Sequence, residues 1–150
     1  MINEGSCFAQ LRDNGGKEIS IVAYIEELCK KADLIVSHGM ESNSIVMNEI
    51  FHYNDGNMEV NNSNGYFSNL IAGKRQICTM KECTTLCKLK SIVVNTYQWS
   101  SLSEAYFVVT NGEKLMSNTY GDSLEDIKAC VTIFKFLVEN KYMRLPPSAL

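Results

Sequence analysis

Helical periodicity of apolar residues predicts four helices. The first begins after the capping residue Ser20 and ends near Lys31, and the second covers residues 44–51. The third begins near Trp99, and the fourth, which has the most regular pattern, covers residues 122–140. The apolar positions with this period are Ile21, Val22, Ile25, Leu28 and Cys29; Ile45 or Val46, Met47, Ile50 and Phe51; Leu102, Ala105 and Tyr106; and Ile127, Cys130 or Val131, Phe134, and Leu137 or Val138.

Two short apolar runs between these helices predict strands. Leu34-Ile35-Val36 has the composition of a fully buried strand of a parallel sheet, and His38-Gly39 ends it. Residues 76–80 predict a second strand, which residues 82–88 follow as a short helix. Residues 54–69 are rich in Asn and Gly without a period, which predicts a surface loop. Strands that alternate with helices predict an α/β fold with parallel strands.

Length and composition are those of one globular domain. The chain of 150 residues is 45% apolar and 21% charged, and no apolar run approaches the roughly 20 residues that cross a bilayer. The segment from Met1 to Gly5 has neither the basic region nor the apolar block of a signal peptide. We therefore predict a cytoplasmic protein with a single domain over residues 1–150 and no association with membranes.

The chain contains six cysteines, which raises the question of disulfides or a metal. They are Cys7, Cys29, Cys78, Cys83, Cys87 and Cys130. Without a secretion signal, buried free thiols are the favoured interpretation. The spacing of Cys78, Cys83 and Cys87 is irregular and has no histidine nearby, unlike the paired ligands of a structural zinc site. No metal site and no cofactor are predicted from these residues.

Basic residues are concentrated in one segment, although the formal net charge is −3. Residues 32–73 contain no Lys or Arg, whereas residues 74–90 contain Lys74, Arg75, Lys81, Lys88 and Lys90 against the single acid Glu82. We call these five residues the basic stripe. Such a stripe can contact a phosphate backbone, so it is the candidate nucleic-acid-binding site. The alternative is an ordinary solvated face.

Three segments in order show a family resemblance. They are residues 32–43, from the first strand through His38-Gly39 to Asn43; residues 78–81, 86–88, 97–99 and 102–104; and residues 121–126, continued by 128–130. Over about residues 17–142 they resemble the DEDDh-type 3′–5′ exonucleases, which include polymerase proofreading subunits. The resemblance implies a partial RNase H-like exonuclease fold in which the first strands of the sheet are missing.

The chain departs from the catalytic pattern of this family. Active members hold two metal ions with four carboxylates, and a histidine deprotonates the attacking water. Here the aspartate of the second motif aligns with Asn43 and the histidine aligns with Gly121. The Asp-x-Glu of the first strand has no counterpart, and only Asp126 remains as a candidate catalytic residue. The resemblance therefore implies loss of nuclease activity, and magnesium or manganese is expected only if the domain is active.

Each candidate side chain also has a structural interpretation. Asp126 lies in the first turn of a predicted helix, where an acid interacts well with the helix dipole, and Asp122 with Glu125 has the spacing of a capping box. His38 follows the first predicted strand, where a hydrogen-bonded structural role is expected. His52 ends a predicted helix, where a basic side chain is favourable.

Three functions follow from the resemblance and remain open. The first is a degenerate exonuclease-family domain that binds nucleic acid, such as a single strand, or a protein partner. The second is an active metal-dependent exonuclease completed by a missing N-terminal segment or a partner chain. The third is a viral or host interaction protein that uses the fold as a scaffold. Because missing strands would leave an open edge beside Leu34-Ile35-Val36, a homodimer or a strand-donating partner is also expected.

Overall fold

The computed structural model describes residues 11–12, 18–19, 21–54, 65–92, 95–115 and 123–144. In chain order the elements are β1 (Leu11–Arg12), β2 (Glu18–Ile19), α1 (Ile21–Lys31), β3 (Leu34–Ser37), α2 (Met40–Asn54), α3 (Tyr66–Ile71), β4 (Arg75–Cys78), α4 (Thr79–Glu82), α5 (Thr84–Cys87), α6 (Leu102–Val109) and α7 (Ser123–Glu139).

Contacts divide the chain into unit one, residues 1–33 and 44–75, and unit two, residues 34–43 and 76–150. The prediction of a single domain stays a prediction.

Unit one contains a two-stranded sheet and helices that pack around aromatic side chains. β1 and β2 pair antiparallel, with Leu11 opposite Ile19. The predicted first helix is confirmed as α1, which buries Val22 and Cys29, two turns apart on one face. Ser20, its predicted cap, lies outside the described residues.

The loop predicted for residues 54–69 is wrong at its end, because α3 begins at Tyr66. The side chain of Asn48, on α2, accepts a hydrogen bond from the backbone N–H of Ser68 at 3.0 Å and donates one to the Ser68 hydroxyl at 2.8 Å. This satisfies an N–H in the first turn of α3 that has no partner within the helix. Residues 55–64 of the predicted loop lie outside the described residues.

Aromatic packing in unit one centres on Phe51. Its ring is fully buried, stacks on Tyr66 with 5.5 Å between centroids, and lies 5.8 Å from the ring of Phe67. Ile45 and Val46, of which one was predicted to be buried, are both more than half exposed. The helix α2 is longer than the predicted residues 44–51. Besides Met40 in its first turn, it buries Phe51, which packs against the aromatic rings of α3.

Unit two contains a parallel pair of strands and the main hydrophobic core. β3 and β4 form a two-stranded parallel sheet, so the α/β class with parallel strands is confirmed. Gly39, at φ +85°, ends β3 in a backbone conformation that favours glycine. The prediction of full burial for β3 is wrong: Leu34 to Ser37 are all half-buried. A two-stranded sheet is too narrow to have both faces covered as in a larger parallel sheet.

The helices of unit two pack chiefly through α6 and α7. The buried residues of this core are Cys83, Ala105, Val109, Ile133 and Leu137. The helix predicted to begin near Trp99 is present as α6, and Ser101 with Glu104 forms its capping box. The single helix predicted for residues 82–88 is instead two short helices, α4 and α5.

The buried face of α7 differs from the predicted one. Ile127, and Val131 as the alternative to Cys130, were predicted to be in the core but are 61% and 45% exposed. Ala129, Ile133 and Leu137 are buried, and of these only Leu137 was among the predicted positions. These buried residues recur every four positions, and Ile133 and Leu137 pack against Ala105 and Val109 of α6. Ala129 is small, so the neighbouring elements can approach this face closely. Within the described part of the chain, no helix has the length and apolar character to cross a membrane.

Candidate functional site

A cleft of about 400 Å³ lies in unit two, between the end of β3, the first turn of α2, the start of α6 and one face of α7. Its lining includes Val36, Asn43, Leu102, Asp126, Ile127 and Val131. Positions from all three segments of the family resemblance therefore meet in one place, although up to 90 residues separate them in sequence. We call this space the cleft below.

Asn43 is fixed against the end of β3. Its Nδ2 donates hydrogen bonds to the Ser37 hydroxyl at 2.5 Å and to the backbone carbonyl of His38 at 3.2 Å. The carboxamide oxygen is not used in either bond. A neutral amide at this position cannot supply the negative charge with which hard divalent cations are usually held.

Asp126 is half-buried in the first turn of α7 and lines the same cleft. It is the only carboxylate among the residues that line the cleft in the described part of the chain. Its position near the helix N-terminus stabilises its negative charge without a metal. No group of three or more His, Cys, Asp or Glu side chains suited to a metal ion occurs among the described residues, and Gly121 lies outside them.

His38 is hydrogen-bonded through both ring nitrogens, in keeping with its predicted structural role. Nε2 lies 3.0 Å from the backbone carbonyl oxygen of Ser100, and Nδ1 lies 3.0 Å from the hydroxyl of Thr79. Because a carbonyl can only accept, Nε2 holds the proton and the neutral ring accepts from Thr79 at Nδ1. Burial lowers the pKa of His38, and the Ser100 carbonyl opposes this in part. His38 therefore positions the chain rather than acting as a free base.

The thiols of unit two extend this buried polar network. Cys130 Sγ lies 3.9 Å from the hydroxyl of Thr79, and burial raises the pKa of the Cys130 thiol. Burial also raises the pKa of Cys83 to about 12. The five cysteines among the described residues are free, of which Cys29 and Cys83 are buried. Protonated, shielded thiols of this kind are poor nucleophiles.

The basic stripe is divided between the two units. Lys74 and Arg75 belong to unit one, where Lys74 donates to the carbonyls of Lys30 and Ala32 at the end of α1. Lys81, Lys88 and Lys90 belong to unit two. The role of Lys74 is thus partly structural, since it satisfies carbonyls that a helix C-terminus leaves without partners.

Two exposed aromatic side chains accompany the lysines of unit two. An antiparallel ladder joins residues 89–91 to 96–98, and Lys90 and Tyr97 form its non-hydrogen-bonded pair, in which side chains are closest. Trp99 follows the ladder, and Lys81 Nζ lies 5.7 Å from the centre of its ring. Tyr97 is 44% and Trp99 56% exposed. The aromatic face is defined here as Lys81, Lys88, Lys90, Tyr97 and Trp99.

Lys81 has a second partner on this face. Its ammonium forms an ion pair with Glu41 of α2 at 2.5 Å, and this hydrogen bond raises the pKa of Lys81. Glu41 and Asn43 lie in the same turn of α2. This turn therefore contacts the aromatic face through the Glu41–Lys81 ion pair and lines the cleft through Asn43. Tyr97 and Trp99 were not predicted to belong to the candidate nucleic-acid-binding site. The available signal was that Tyr97 and Trp99 follow Lys88 and Lys90 within one short segment.

Comparison with known proteins adds no relative to this description. No protein-family model matches the chain, and searches of curated proteins and of solved structures find no match.

Proposed function

We propose that unit two is a partial RNase H-like domain of the 3′–5′ exonuclease type that binds single-stranded nucleic acid without cutting it. The support for the fold is the parallel pair β3–β4 with α7 packed against β3. Further support is that Asn43 and Asp126, which align with two catalytic positions of that family, line the same cleft.

The chemistry of the cleft argues against hydrolysis. Two divalent ions a few Å apart need several carboxylates to balance their charge and to stabilise an in-line displacement. The described lining contains one carboxylate, that of Asp126. The other lining residue that aligns with a catalytic position of the family is Asn43, whose side chain is a neutral amide. His38, the nearest imidazole, has both nitrogens engaged in hydrogen bonds within the fold.

The observation on which the binding proposal rests is the exposed ring of Trp99 beside the ammonium of Lys81. Bases of a single strand stack on such aromatic side chains, and each stacked base contributes about 1–3 kcal/mol. Lys88 and Lys90 are exposed, Lys90 lies opposite Tyr97, and both supply positive charge for the phosphates. A duplex hides the faces of its bases, so this arrangement favours single strands.

The test is a fluorescence-anisotropy titration of a labelled single-stranded oligonucleotide at two salt concentrations. The variant Lys88→Glu/Lys90→Glu is expected to bind about tenfold more weakly or worse, and to show a shallower dependence on salt, because counterion release falls with each lost phosphate contact. Duplex of the same sequence is expected to bind more weakly than the single strand.

Lys114→Glu/Lys135→Glu is the matched control, since it makes the same change of charge at two exposed lysines of unit two outside the aromatic face. It is expected to lower affinity much less. Equal losses in the two double variants would mean that only the net charge matters. Absence of binding by the unaltered protein at low salt would refute the proposed function.

A further inference from the structure

The ammonium of Lys81 contacts both an acid and the aromatic ring on which bases are proposed to stack. Its Nζ lies 2.5 Å from a carboxylate oxygen of Glu41 and 5.7 Å from the centre of the Trp99 ring. We infer that Glu41 is an internal competitor of nucleic acid, which pairs with the lysine beside the stacking ring and thereby lowers the affinity of the aromatic face for single strands. The inference rests on the proposed function, since it concerns the same binding surface.

All three side chains are accessible to a strand that approaches from solvent. The side chains of Lys81 and Glu41 are 45% and 71% exposed, and Trp99 is 56% exposed. A base that stacks on Trp99 brings its neighbouring phosphates close to Lys81. Phosphate oxygens and the Glu41 carboxylate accept the same kind of charge-assisted hydrogen bond, so they compete for one ammonium.

Glu41 distinguishes Lys81 from the other lysines of the aromatic face. Among the described residues, Lys88 and Lys90 form no ion pair, so they present their full charge to a phosphate backbone. The charge of Lys81 is instead balanced by an acid that lies 40 residues earlier in the sequence, in the first turn of α2. The lysine closest to the proposed stacking ring is therefore the one with a competing partner.

The ion pair is weak enough for a phosphate to displace it. Pairs between exposed side chains contribute little, because water and salt screen their charges. Displacement of Glu41 is therefore expected to lower affinity by about two- to fivefold and not to prevent binding.

Anisotropy titration of a labelled single-stranded oligonucleotide with Glu41→Gln tests the inference. Loss of the carboxylate frees Lys81, so affinity at low salt is expected to rise about two- to fivefold. The slope of log affinity against log salt is expected to steepen by about 0.7, the increment for one phosphate contact with a single strand. Glu139→Gln is the matched control, because it removes the same charge from an exposed acid at the end of α7, outside the aromatic face. It should change affinity much less and leave the slope unaltered.

The same substitution in a Lys81→Gln background shows whether Glu41 acts through Lys81. Glu41→Gln is expected to have little effect there, because the lysine that it frees is gone. An equal rise with and without Lys81, or an equal rise in Glu139→Gln, would show general repulsion of phosphate and overturn the inference. A fall in affinity would overturn it as well, since Glu41 would then position Lys81 for binding. Binding by the unaltered protein without a gain in Glu41→Gln would overturn this inference alone, whereas no binding by any variant would refute the proposed function too.

Discussion

The imidazole of His38 donates a hydrogen bond from Nε2 to the carbonyl oxygen of Ser100, at 3.0 Å and across 62 residues of sequence. The bond connects the end of β3 to the segment that leads into α6. Ser100 is buried, so its carbonyl has little access to water as an alternative donor. The bond therefore contributes to stability, while burial of the ring favours its neutral form.

We predict that unfolding free energy falls as the pH is lowered from 7.5 to 5. Burial lowers the pKa of His38 below its ordinary value of 6.5, so above 6.5 the ring is neutral in both states and its contribution is complete. Below 6.5 the unfolded chain takes up the proton first, and the contribution is lost as the pH falls through the folded-state pKa. Denaturant unfolding at several pH values measures the loss.

Histidine variants assign this pH dependence. His38→Asn is expected to cost about 1–3 kcal/mol at pH 7.5, because it leaves buried partners unsatisfied, and to flatten the profile between pH 5 and 7.5. His52→Asn changes the other histidine of the chain, and a profile that this variant flattens while His38→Asn does not would assign the dependence to His52. An unchanged slope in His38→Asn would contradict this assignment.

We predict no metal-dependent exonuclease activity. Asp126 is the single carboxylate in the described lining of the cleft, and one carboxylate does not hold the metal pair that stabilises the transition state. A 3′-labelled single strand incubated with magnesium or with manganese should keep its length on a denaturing gel. Asp126→Asn is the control, and shortening that this variant abolishes would show that the cleft is an active site.

Fluorescence of Trp99 should report stacking directly, because it is the only tryptophan in the chain. A single-stranded oligonucleotide is expected to quench its emission, since bases stack on the exposed indole ring. An abasic oligonucleotide of equal length and charge should bind through the lysines but leave the emission nearly unchanged. Equal quenching by both would show that Trp99 senses charge and not bases.

Gly65→Ala should destabilise unit one by about 1–3 kcal/mol, the usual cost of a backbone held in a sparsely populated region. Gly65 has φ +70°, and a Cβ there would lie 2.4 Å from Cγ of Asn48, whose side chain holds the first turn of α3. Gly73→Ala is the matched control, because a Cβ at Gly73 meets nothing within 4 Å. Thermal unfolding of the two variants compares them, and similar melting temperatures would contradict the predicted strain.

Local patterns were sufficient to predict most elements. The period of α1 and the apolar run of β3 are properties of neighbouring residues, so both elements lie where the sequence predicts them. The cysteines among the described residues are free, as predicted, although only Cys29 and Cys83 are buried. The concentration of basic residues was also visible in the sequence, but Tyr97 and Trp99 of the aromatic face were not predicted to accompany it.

Tertiary structure alone decided which faces are buried and what meets in the cleft. The periodicity of α7 shows two apolar stripes. α6 packs on the stripe that contains Ile133 and Leu137, while Ile127 and Val131 on the other stripe remain exposed. Periodicity measures amphipathic character but contains no information on where a packing partner lies. Likewise, Asn43 and Asp126 meet only because β3, α2 and α7 come together, which depends on contacts between residues far apart in sequence.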